Sequence, residues 1–344
     1  MLRAVLVGCG AMADGWLCAL KETPELAAAV RLVGLIDLNI EAARDLANRH
    51  GLDVDCGVDL GTMLANQAPD LVFDLVVPPA RHAVVTQALT AGAHVLSEKP
   101  MANTLDQARD LIAVAERSGR HHAVIQNRRF LRGIRRVKAL MDSGALGEMT
   151  ALHQDFFIGA HFGGFRDQMP HVLLLDMAIH SFDAARWLIG ADPTFVYCRE
   201  TNPKGSWYAH GASADALFDF ANGVTMTYRG SWCAEGANTA WECSWRIIGT
   251  KGTAIWDGNE GITAHAVAGD EGFFRPLVPV EVPDLAEPLV EGHAGVILDF
   301  VRAVQGQTSP LTAGTDNIHS LAMVFAAIRS AETGARVPVQ NQEA

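Results

Sequence analysis

The sequence has little cysteine and a shortage of positive charge. Six cysteines are spread over 344 residues without a C-x-x-C pair, which argues against a disulfide framework and a cysteine-bound metal site and favours reduced thiols in a cytoplasm. Lys and Arg number 27 against 39 Asp and Glu, so the formal net charge is -12. Because nucleic-acid binding depends on basic side chains that neutralise phosphates, we expect no nucleic-acid partner.

Long apolar runs and low-complexity tracts are also missing. No apolar segment approaches the roughly 18 residues that a membrane-spanning helix needs, and the opening residues MLRAVLVGCG reach a glycine too early for a signal peptide. We therefore expect no membrane association and a cytoplasmic location. The hydrophobic fraction of 49% and the charged fraction of 19% are typical of a chain that folds throughout. A chain of this length is expected to form two domains.

The first part of the chain alternates apolar strands with helices. AVLVG is a continuous apolar run bounded by glycine, which is typical of a strand buried on both faces. RLVGLID, LVFDLVV and AHVLSE read as further strands, with helical segments between them. This alternation predicts an N-terminal Rossmann domain, a doubly wound parallel sheet over residues 1–122.

From about residue 150 the pattern changes to β-like runs with Asn-Gly and Lys-Gly turns, which are typical of antiparallel hairpins. The segment GTKG at 249–252 lacks the spacing of a phosphate loop, so a hairpin turn is favoured. We expect residues 123–344 to form an α+β domain on a large open, mostly antiparallel sheet that binds substrate. Because the predicted helices suffice to cover only one face of that sheet, the other face predicts a homodimer or homotetramer.

The segment GCGAMA directly follows the first strand and opens a helix. Gly8, Gly10 and Ala13 fit the G-x-G-x-x-G/A dinucleotide fingerprint, although a plain glycine turn is the alternative. Asp37 ends the second strand, where an acid accepts hydrogen bonds from a ribose 2'-hydroxyl and repels a 2'-phosphate. NAD is therefore favoured over NADP. The alternative for Asp37 is a helix cap, but Asn39 could cap the next helix equally well.

Two further strand ends carry candidate residues at the same edge of the predicted sheet. VPPARH follows one strand, and its Val77, Pro78 and His82 are predicted to contact the cofactor; the alternative is a rigid strand-to-helix loop with His82 in the helix. SEKP follows another, and places Glu98 and Lys99 where open α/β sheets bind ligands. The proline after Lys99 disfavours a helical conformation and should direct its ammonium out of the strand end.

The segment LLLDMAIHSFDAARWLIG is apolar almost all round but carries Asp176, His180 and Asp183 at i, i+4 and i+7. That spacing sets the three side chains on one stripe of a buried helix, where ionisable groups are costly unless they face a cavity, a partner or a ligand. For Asp183 an internal ion pair with Arg186 is the favoured alternative. Four tryptophans could stack on a sugar, although core or interface positions are commoner: Trp207, Trp232, Trp241 and Trp245.

The combined motifs resemble the Gfo/Idh/MocA family, the relatives of glucose-fructose oxidoreductase and inositol dehydrogenase. The similar segments are GCGAMA with Asp37, VPPARH, EKP, NRRF at 127–130 and DMAIH. The resemblance implies that Lys99, Asp176 and His180 form the catalytic set and contact the substrate. It also implies that Ala11, Met12, Glu98 and Lys99 join the cofactor contacts, with Glu98 at the nicotinamide end.

This sequence departs from the family in two places. Val77 replaces the usual threonine, and MPHVLLLD replaces the glycine-rich lead-in to the catalytic helix. His171 therefore falls where many relatives have only backbone. His171, Arg166 and Arg129 could bind a polar or acidic sugar, and the alternative for each is an ordinary surface or interdomain residue.

The function that the resemblance implies is a hydride transfer between a secondary alcohol and the nicotinamide of NAD. In this hypothesis His180 accepts the hydroxyl proton, Lys99 stabilises the developing oxyanion and Asp176 orients both substrate and histidine. The expected substrate is a sugar, a cyclitol or a sugar acid, and no metal is expected. The alternatives are an NAD-dependent glycosidase of the same superfamily, which steady NADH release on a free sugar would distinguish, and a non-catalytic nucleotide-sensing regulator.

Overall fold

The computed structural model describes residues 1–340. Within that range the α-helices are α1 (Ala11–Glu22), α2 (Pro24–Ala29), α3 (Ile40–His50), α4 (Leu60–Gln67), α5 (Pro78–Thr90), α6 (Leu105–Ser118), α7 (Arg132–Asp142), α8 (Ile179–Ile189), α9 (Gly292–Val304) and α10 (Gly314–Thr333). Shorter turns are the 3₁₀ segments Asn127–Phe130 and Gly164–Gln168 and a π-helical segment, Leu173–Ala178.

The strands fall into two sheets. The first sheet contains β1 (Leu2–Val7), β2 (Val30–Ile36), β3 (Asp55–Gly57), β4 (Leu71–Asp74), β5 (His94–Ser97) and β6 (His122–Val124). The second contains β7 (Met149–Phe157), β8 (Pro193–Thr201), β9 (Ser213–Phe220), β10 (Thr225–Ser231), β11 (Ser244–Gly249), β12 (Gly252–Trp256), β13 (Ile262–Val267), β14 (Leu277–Pro279) and β15 (Val337–Pro338).

The chain forms two compact units, each built from two stretches of sequence. The first unit comprises Met1–Phe130 and Val290–Ile318, and the second comprises Leu131–Leu289 with the described residues from His319 onward. The predicted boundary at residue 122 therefore differs from this division. The late segment Val290–Ile318 also belongs to the first unit.

The core of the first unit explains why that late segment belongs to it. Val296, Ile297 and Phe300 on α9 are buried in the same apolar cluster as Leu6 on β1 and Trp16 on α1. The periodicity of an apolar helix such as α9 cannot tell which sheet the helix covers. The first unit thus completes its core with a helix that lies far along the chain.

The first sheet has the strand order β3-β2-β1-β4-β5-β6, and every pair in it is parallel. This is the doubly wound Rossmann order, with the connection reversing direction between β1 and β4. The predicted fold of the N-terminal domain is confirmed. Since all six strands run the same way, their carboxyl ends lie along one edge, where ligands of such sheets bind.

The helices around this sheet begin and end where short polar residues and glycine dictate. Asn39, Asp59 and Thr104 are the N-caps of α3, α4 and α6, and each side chain accepts a hydrogen bond from a backbone N–H in the first turn. Gly51 and Gly119 end α3 and α6 in the left-handed region, with φ of 60° and 63°. These caps fix how far each helix extends toward the next strand.

The second sheet has the order β14-β13-β12-β11-β7-β10-β9-β8-β15. Within this sheet, only β7 and β10 of the described strands pair in parallel, and the other neighbours are antiparallel. The predicted α+β architecture on a mostly antiparallel sheet is confirmed. The predicted hairpin at 249–252 is also confirmed, since it joins β11 to β12 with Ile248 opposite Thr253.

Strand register separates the two faces of this sheet. One row across it is buried and apolar: Val196, Phe218, Met226, Leu152, Ile247 and Ala254. The adjacent row lies on the opposite face and is open to solvent: Tyr197, Leu217, Thr227, His153, Arg246 and Ile255. Apolar and polar side chains are mixed on this open face, and a depression of about 660 Å³ lies beside Tyr197, His153 and Arg229.

We predict that the open face joins copies of the chain in a homodimer or homotetramer. Tyr197, Leu217 and Ile255 are 46%, 40% and 42% exposed there, and apolar side chains grouped on an open sheet are typical of an interface. Light scattering at micromolar concentration should report at least a dimer, and Leu217→Arg with Ile255→Arg should lower the mass. A monomeric wild-type protein would contradict the prediction.

Candidate functional site

The turn after β1 brings two backbone segments into close approach. Gly8 has a φ of +98°, and a Cβ on it would lie 2.7 Å from the carbonyl carbon of Leu75. Only glycine satisfies both conditions. Gly10 is the N-cap of α1 without a side-chain cap, and a Cβ there would meet no described atom within 4 Å. The turn therefore presents uncovered backbone at the start of a helix, which suits a phosphate group.

Asp37 is held against this turn. Its Oδ2 accepts a hydrogen bond from the backbone N–H of Cys9 at 2.8 Å, and its Oδ1 accepts one from the N–H of Asn39 at 2.9 Å. Asn39, not Asp37, caps α3, so the alternative reading of Asp37 as the cap is wrong. Burial raises the pKa of the Cys9 thiol to about 12, and Asp37 adds to that increase. The thiol is therefore protonated at neutral pH and supplies no nucleophile.

The residues of this turn fit a dinucleotide. Backbone N–H groups at the start of α1 would hold the pyrophosphate, and the Asp37 carboxylate would accept hydrogen bonds from the ribose hydroxyls. Ala11 and Met12 are exposed at the beginning of α1, whereas Ala13 is fully buried against the sheet. The predicted contacts of Ala11 and Met12 are thus sterically open.

We predict that NAD binds more tightly than NADP. A 2'-phosphate would meet the Asp37 carboxylate, and the following Leu38 and Asn39 carry no positive charge to offset the repulsion. Calorimetric titration with both cofactors should show a higher affinity for NAD, and Asp37→Ser should reduce the difference between the two affinities. Equal or stronger binding of NADP to the wild-type protein would refute this role of Asp37.

The loop after β4 contains the next group of predicted cofactor residues. Val77 is the N-cap of α5, is 68% exposed, and precedes Pro78 in the first turn. His82 lies further along α5, and its Nε2 is 2.8 Å from Oδ2 of Asp110 on α6. Val77 and Pro78 therefore stay available to a ligand at the strand edge. His82 is oriented toward a neighbouring helix instead, which agrees with the alternative that it is a helix residue.

Glu98 is buried beyond the end of β5 and tied to its surroundings. Its side chain is 9% exposed, its Oε1 accepts a hydrogen bond from Trp16 Nε1 at 2.9 Å, and its Oε2 accepts one from the backbone N–H of Lys99 at 3.2 Å. Lys99 itself is only partly buried. Glu98 thus fixes the backbone of the residue beside it.

His293 on α9 joins this group and was not predicted from the sequence. Its Nε2 lies 3.9 Å from Oε1 of Glu98, and its Nδ1 lies 3.2 Å from Nδ2 of Asn127. Since the Asn127 amide donates, Nδ1 accepts and the imidazole proton resides on Nε2. Burial lowers the pKa of His293, although Glu98 raises it and Lys99 lowers it. No local motif marks His293, because α9 is distant in sequence from the strand it covers.

In the second unit, Asp176 and His180 lie on consecutive helical segments. Asp176 belongs to the π-helical segment Leu173–Ala178, and His180 is in the first turn of α8. The sequence pattern predicted a regular α-helix here. A π-helical turn widens the local backbone and is frequent at functional sites. Both side chains are partly exposed in a segment whose other residues are mostly buried.

The structure brings Arg166 together with Asp176. Its Nε donates to Oδ2 of Asp176 at 2.7 Å. Its guanidinium also lies over the rings of Phe162 and Phe165, at 5.2 and 4.8 Å from their centroids. The carboxylate is therefore oriented by a cation that two aromatic rings hold in place.

Asp183 and Arg129 have structural partners. The hydroxyl of Ser320 donates to Asp183 at 2.7 Å and accepts from Nε of Arg186 at 3.1 Å, so Asp183 links α8 to α10. Arg129 is 2% exposed, donates to the carbonyl of Leu311 at 3.1 Å and lies 2.7 Å from the Asp316 carboxylate. These contacts favour the ordinary structural alternative for Arg129 over the predicted contact with substrate.

His171 also turns toward protein groups. Its Nδ1 is 2.5 Å from Oε2 of Glu200 on β8, and its Nε2 is 3.5 Å from Oε1 of Glu332 on α10. The hydrogen bond with Glu200 raises the pKa of His171 despite partial burial. The backbone of His171 has a φ of +52°, a conformation that few side chains adopt. These contacts favour a structural role in the second unit.

We predict that His171 makes stability depend on pH. Because its pKa is raised in the folded state, its contribution is full below the unfolded value of about 6.5 and is lost as the pH rises through the folded value. His171→Asn, which tolerates a positive φ, should therefore lower the melting temperature most at about pH 6 and least in alkaline solution. A pH-independent difference between the two proteins would contradict this.

The tryptophans divide between core and surface. Trp232 and Trp245 are each 2% exposed and belong to the core of the second unit. Trp207 stacks on His161 with ring centroids 3.7 Å apart, and Trp241 is 47% exposed. Only Trp207 and Trp241 of the four therefore remain candidates for stacking on a sugar.

In residues 1–340 no helix combines the length and apolarity that crossing a bilayer requires. Within the same residues no three His, Cys, Asp or Glu side chains group as a metal site would require.

A parallel sheet in this order, a glycine turn after β1 and an acid at the end of β2 define a dinucleotide-binding protein. Residues 2–126 match the model of an oxidoreductase family with an NAD-binding Rossmann fold, and residues 134–255 match the Gfo/Idh/MocA C-terminal domain. The chain belongs to the Gfo/Idh/MocA family of oxidoreductases, and its cofactor is NAD.

Individual proteins are similar over nearly their whole length. The uncharacterized protein y4oX of Sinorhizobium fredii is 29% identical, over 98% of this chain and 96% of its own. The D-apiose dehydrogenase of Paraburkholderia graminis is 26% identical, over 99% and 91%. An oxidoreductase from Agrobacterium radiobacter, solved in complex with NAD+, L-tartaric acid and magnesium, has the same fold with a TM-score of 0.86 at 22% identity and covers 98% of both chains.

Proposed function

We propose that this oxidoreductase is an NAD-dependent dehydrogenase that oxidises a secondary alcohol of a sugar, a cyclitol or a sugar acid. The observation that carries the proposal is the Glu98–Lys99 turn at the carboxyl end of β5, the edge of the sheet that also carries the Gly8 turn and Asp37. The D-apiose dehydrogenase among the relatives supports a sugar substrate. The L-tartaric acid bound to the Agrobacterium radiobacter protein is compatible with a hydroxy acid.

In this proposal bound NAD supplies the nicotinamide ring that takes up the hydride from the carbinol carbon. Lys99 donates a hydrogen bond to the substrate oxygen and stabilises the negative charge that develops on it. His180 accepts the hydroxyl proton as the general base, a role for which histidine is the commonest side chain. The carbinol thus loses one hydride and one proton and becomes a carbonyl.

Asp176 has an orienting role in the proposal. Its carboxylate is held by Arg166 at 2.7 Å, which fixes the direction in which it would accept a hydrogen bond from a substrate hydroxyl. The partly exposed rings of Phe162 and Phe165 beside Arg166 would cover the apolar face of a sugar. A substrate with a carboxylate would compete with Asp176 for the same guanidinium, so the substrate's charge should affect its affinity.

We predict that Lys99→Ala lowers turnover at least about a hundredfold, on the scale of losing one preorganised oxyanion donor. NAD binding should stay nearly unchanged, because the glycine turn and Asp37 are intact. Steady-state kinetics and calorimetric titration with NAD measure both quantities on the same preparation. Near-normal turnover would refute the catalytic role, and a loss that weaker NAD binding fully explains would make Lys99 a cofactor ligand only.

The matched control for Lys99→Ala is Lys251→Ala. Lys251 is an exposed lysine in the β11–β12 hairpin, and its removal should leave turnover and NAD binding unchanged. Lys99→Ala and His180→Ala should also be combined, because residues that act in one step are strongly non-additive. Steady formation of NADH on a free sugar supports a dehydrogenase, whereas release of a sugar from a glycoside without net NADH would favour the glycosidase alternative.

A further inference from the structure

The guanidinium of Arg81 lies inside the first unit and connects three segments of chain. Its Nε donates to Oδ2 of Asp74 at 2.8 Å, one Nη donates to the carbonyl of Val76 at 2.6 Å, and the other donates to the carbonyl of Pro100 at 2.5 Å. Arg81 is 1% exposed. A single side chain thus joins the end of β4, the loop before α5 and the turn that carries Lys99.

The backbone of that turn is held from both sides. The N–H of Glu98 donates to the carbonyl of Asp74 at 2.7 Å, and the N–H of Lys99 donates to the Glu98 carboxylate at 3.2 Å. On the other side, Arg81 holds the carbonyl of Pro100. The direction in which Lys99 leaves the sheet is therefore set by one contact before it and one contact after it.

The carboxylate that pairs with Arg81 is itself fixed. Asp74 is fully buried, accepts the N–H of Val76 at 3.2 Å and accepts the hydroxyl of Ser97. Ser97 Oγ lies 3.1 Å from Nε2 of His122, whose burial lowers its pKa to about 3 and keeps the ring neutral. Burial also raises the pKa of Asp74, against the opposing effect of the Arg81 cation. The network connects the last residues of β4 and β5 with the first residue of β6.

The stability of the fold gives little reason to bury the Asp74–Arg81 ion pair. Two charges lose their hydration on burial, and apolar residues of similar volume in their place are often neutral or stabilising. An apolar side chain cannot donate hydrogen bonds to two separate carbonyl oxygens, as the fork-shaped guanidinium of arginine does. The feature that distinguishes Arg81 from a core-filling residue is therefore its hold on the Val76 and Pro100 carbonyls.

We infer that Arg81, locked by Asp74, is a positioning residue that fixes the Lys99 turn in its productive orientation. Its kinetic consequence rests on the proposed function, in which Lys99 meets the substrate oxygen. A displacement of about 1 Å in a catalytic group can cost about a hundredfold in rate. Loss of the Pro100 contact should therefore lower turnover although Arg81 itself touches no reacting atom.

Two variants separate positioning from folding. Arg81→Lys keeps a positive charge for Asp74 but cannot bridge the two carbonyls. Arg81→Met combined with Asp74→Asn removes both charges together and so leaves no unpaired buried charge to unfold the protein. Both should fold by circular dichroism, lower kcat at least about tenfold and change KM for NAD less than about twofold.

A second measurement does not depend on activity. The chain has five lysines, at positions 21, 99, 138, 204 and 251, so reductive methylation with ¹³C-formaldehyde gives a lysine NMR spectrum that a Lys99→Arg variant assigns. In both Arg81 variants the Lys99 resonance should move while the other four stay in place. Arg186→Lys is the matched control, because it alters another buried guanidinium, which bonds to Ser320 and Asp192; it should lower the melting temperature without moving the Lys99 resonance.

Unchanged turnover and an unchanged Lys99 resonance in both Arg81 variants would overturn the inference and leave Arg81 a purely structural residue. A resonance that moves equally in Arg186→Lys would overturn it as well, since the effect would then be general. If the wild-type protein reduced no NAD with any sugar, the proposed function would fail, whereas a selective movement of the Lys99 resonance would still support positioning.

Discussion

The parallel direction of the six strands in the first unit is the constraint on which the candidate site depends. Because every strand ends at the same edge, the turn at Gly8, the acid Asp37 and the Glu98–Lys99 turn lie along one line, although they are separated widely in sequence. The close approach at Gly8 completes this arrangement, since a side chain there would collide with the backbone after β4. The edge can thus offer backbone donors and charged side chains together.

Burial gives the polar groups at this edge fixed directions. Glu98 is held by the indole of Trp16, and Asp74 by a guanidinium, a hydroxyl and a backbone N–H. Buried carboxylates are costly unless their hydrogen bonds are satisfied, and satisfied ones are rigid. The more exposed Lys99 therefore extends from a turn whose backbone is immobilised by its neighbours. Such a fixed backbone suits a group that must meet a changing charge.

Particular residues show how far the sequence predicted the site. Gly8, Gly10, Asp37 and Glu98 could be singled out as candidates because each follows a strand of the predicted parallel sheet. For His171, Arg129 and His82 the residue type was informative but the direction of the side chain was not, and the structure turns them toward Glu200, Asp316 and Asp110. Arg81 and His293 gave no local signal, because Arg81 bonds to Pro100 beyond β5 and His293 lies on α9, far along the chain from Glu98.

Local patterns determined the fold class by themselves: apolar runs of strand length, helix caps and hairpin turns are properties of neighbouring residues, and they sufficed for a doubly wound sheet followed by an antiparallel one. Tertiary structure alone decided that α9 completes the core of the first unit, that a π-helical turn carries Asp176, and that Arg81 bonds to the carbonyl of Pro100 beside Lys99. The physical reason is that packing between segments far apart in the chain determines the partner of a buried charge or of an apolar face. Sequence periodicity contains no information about that partner.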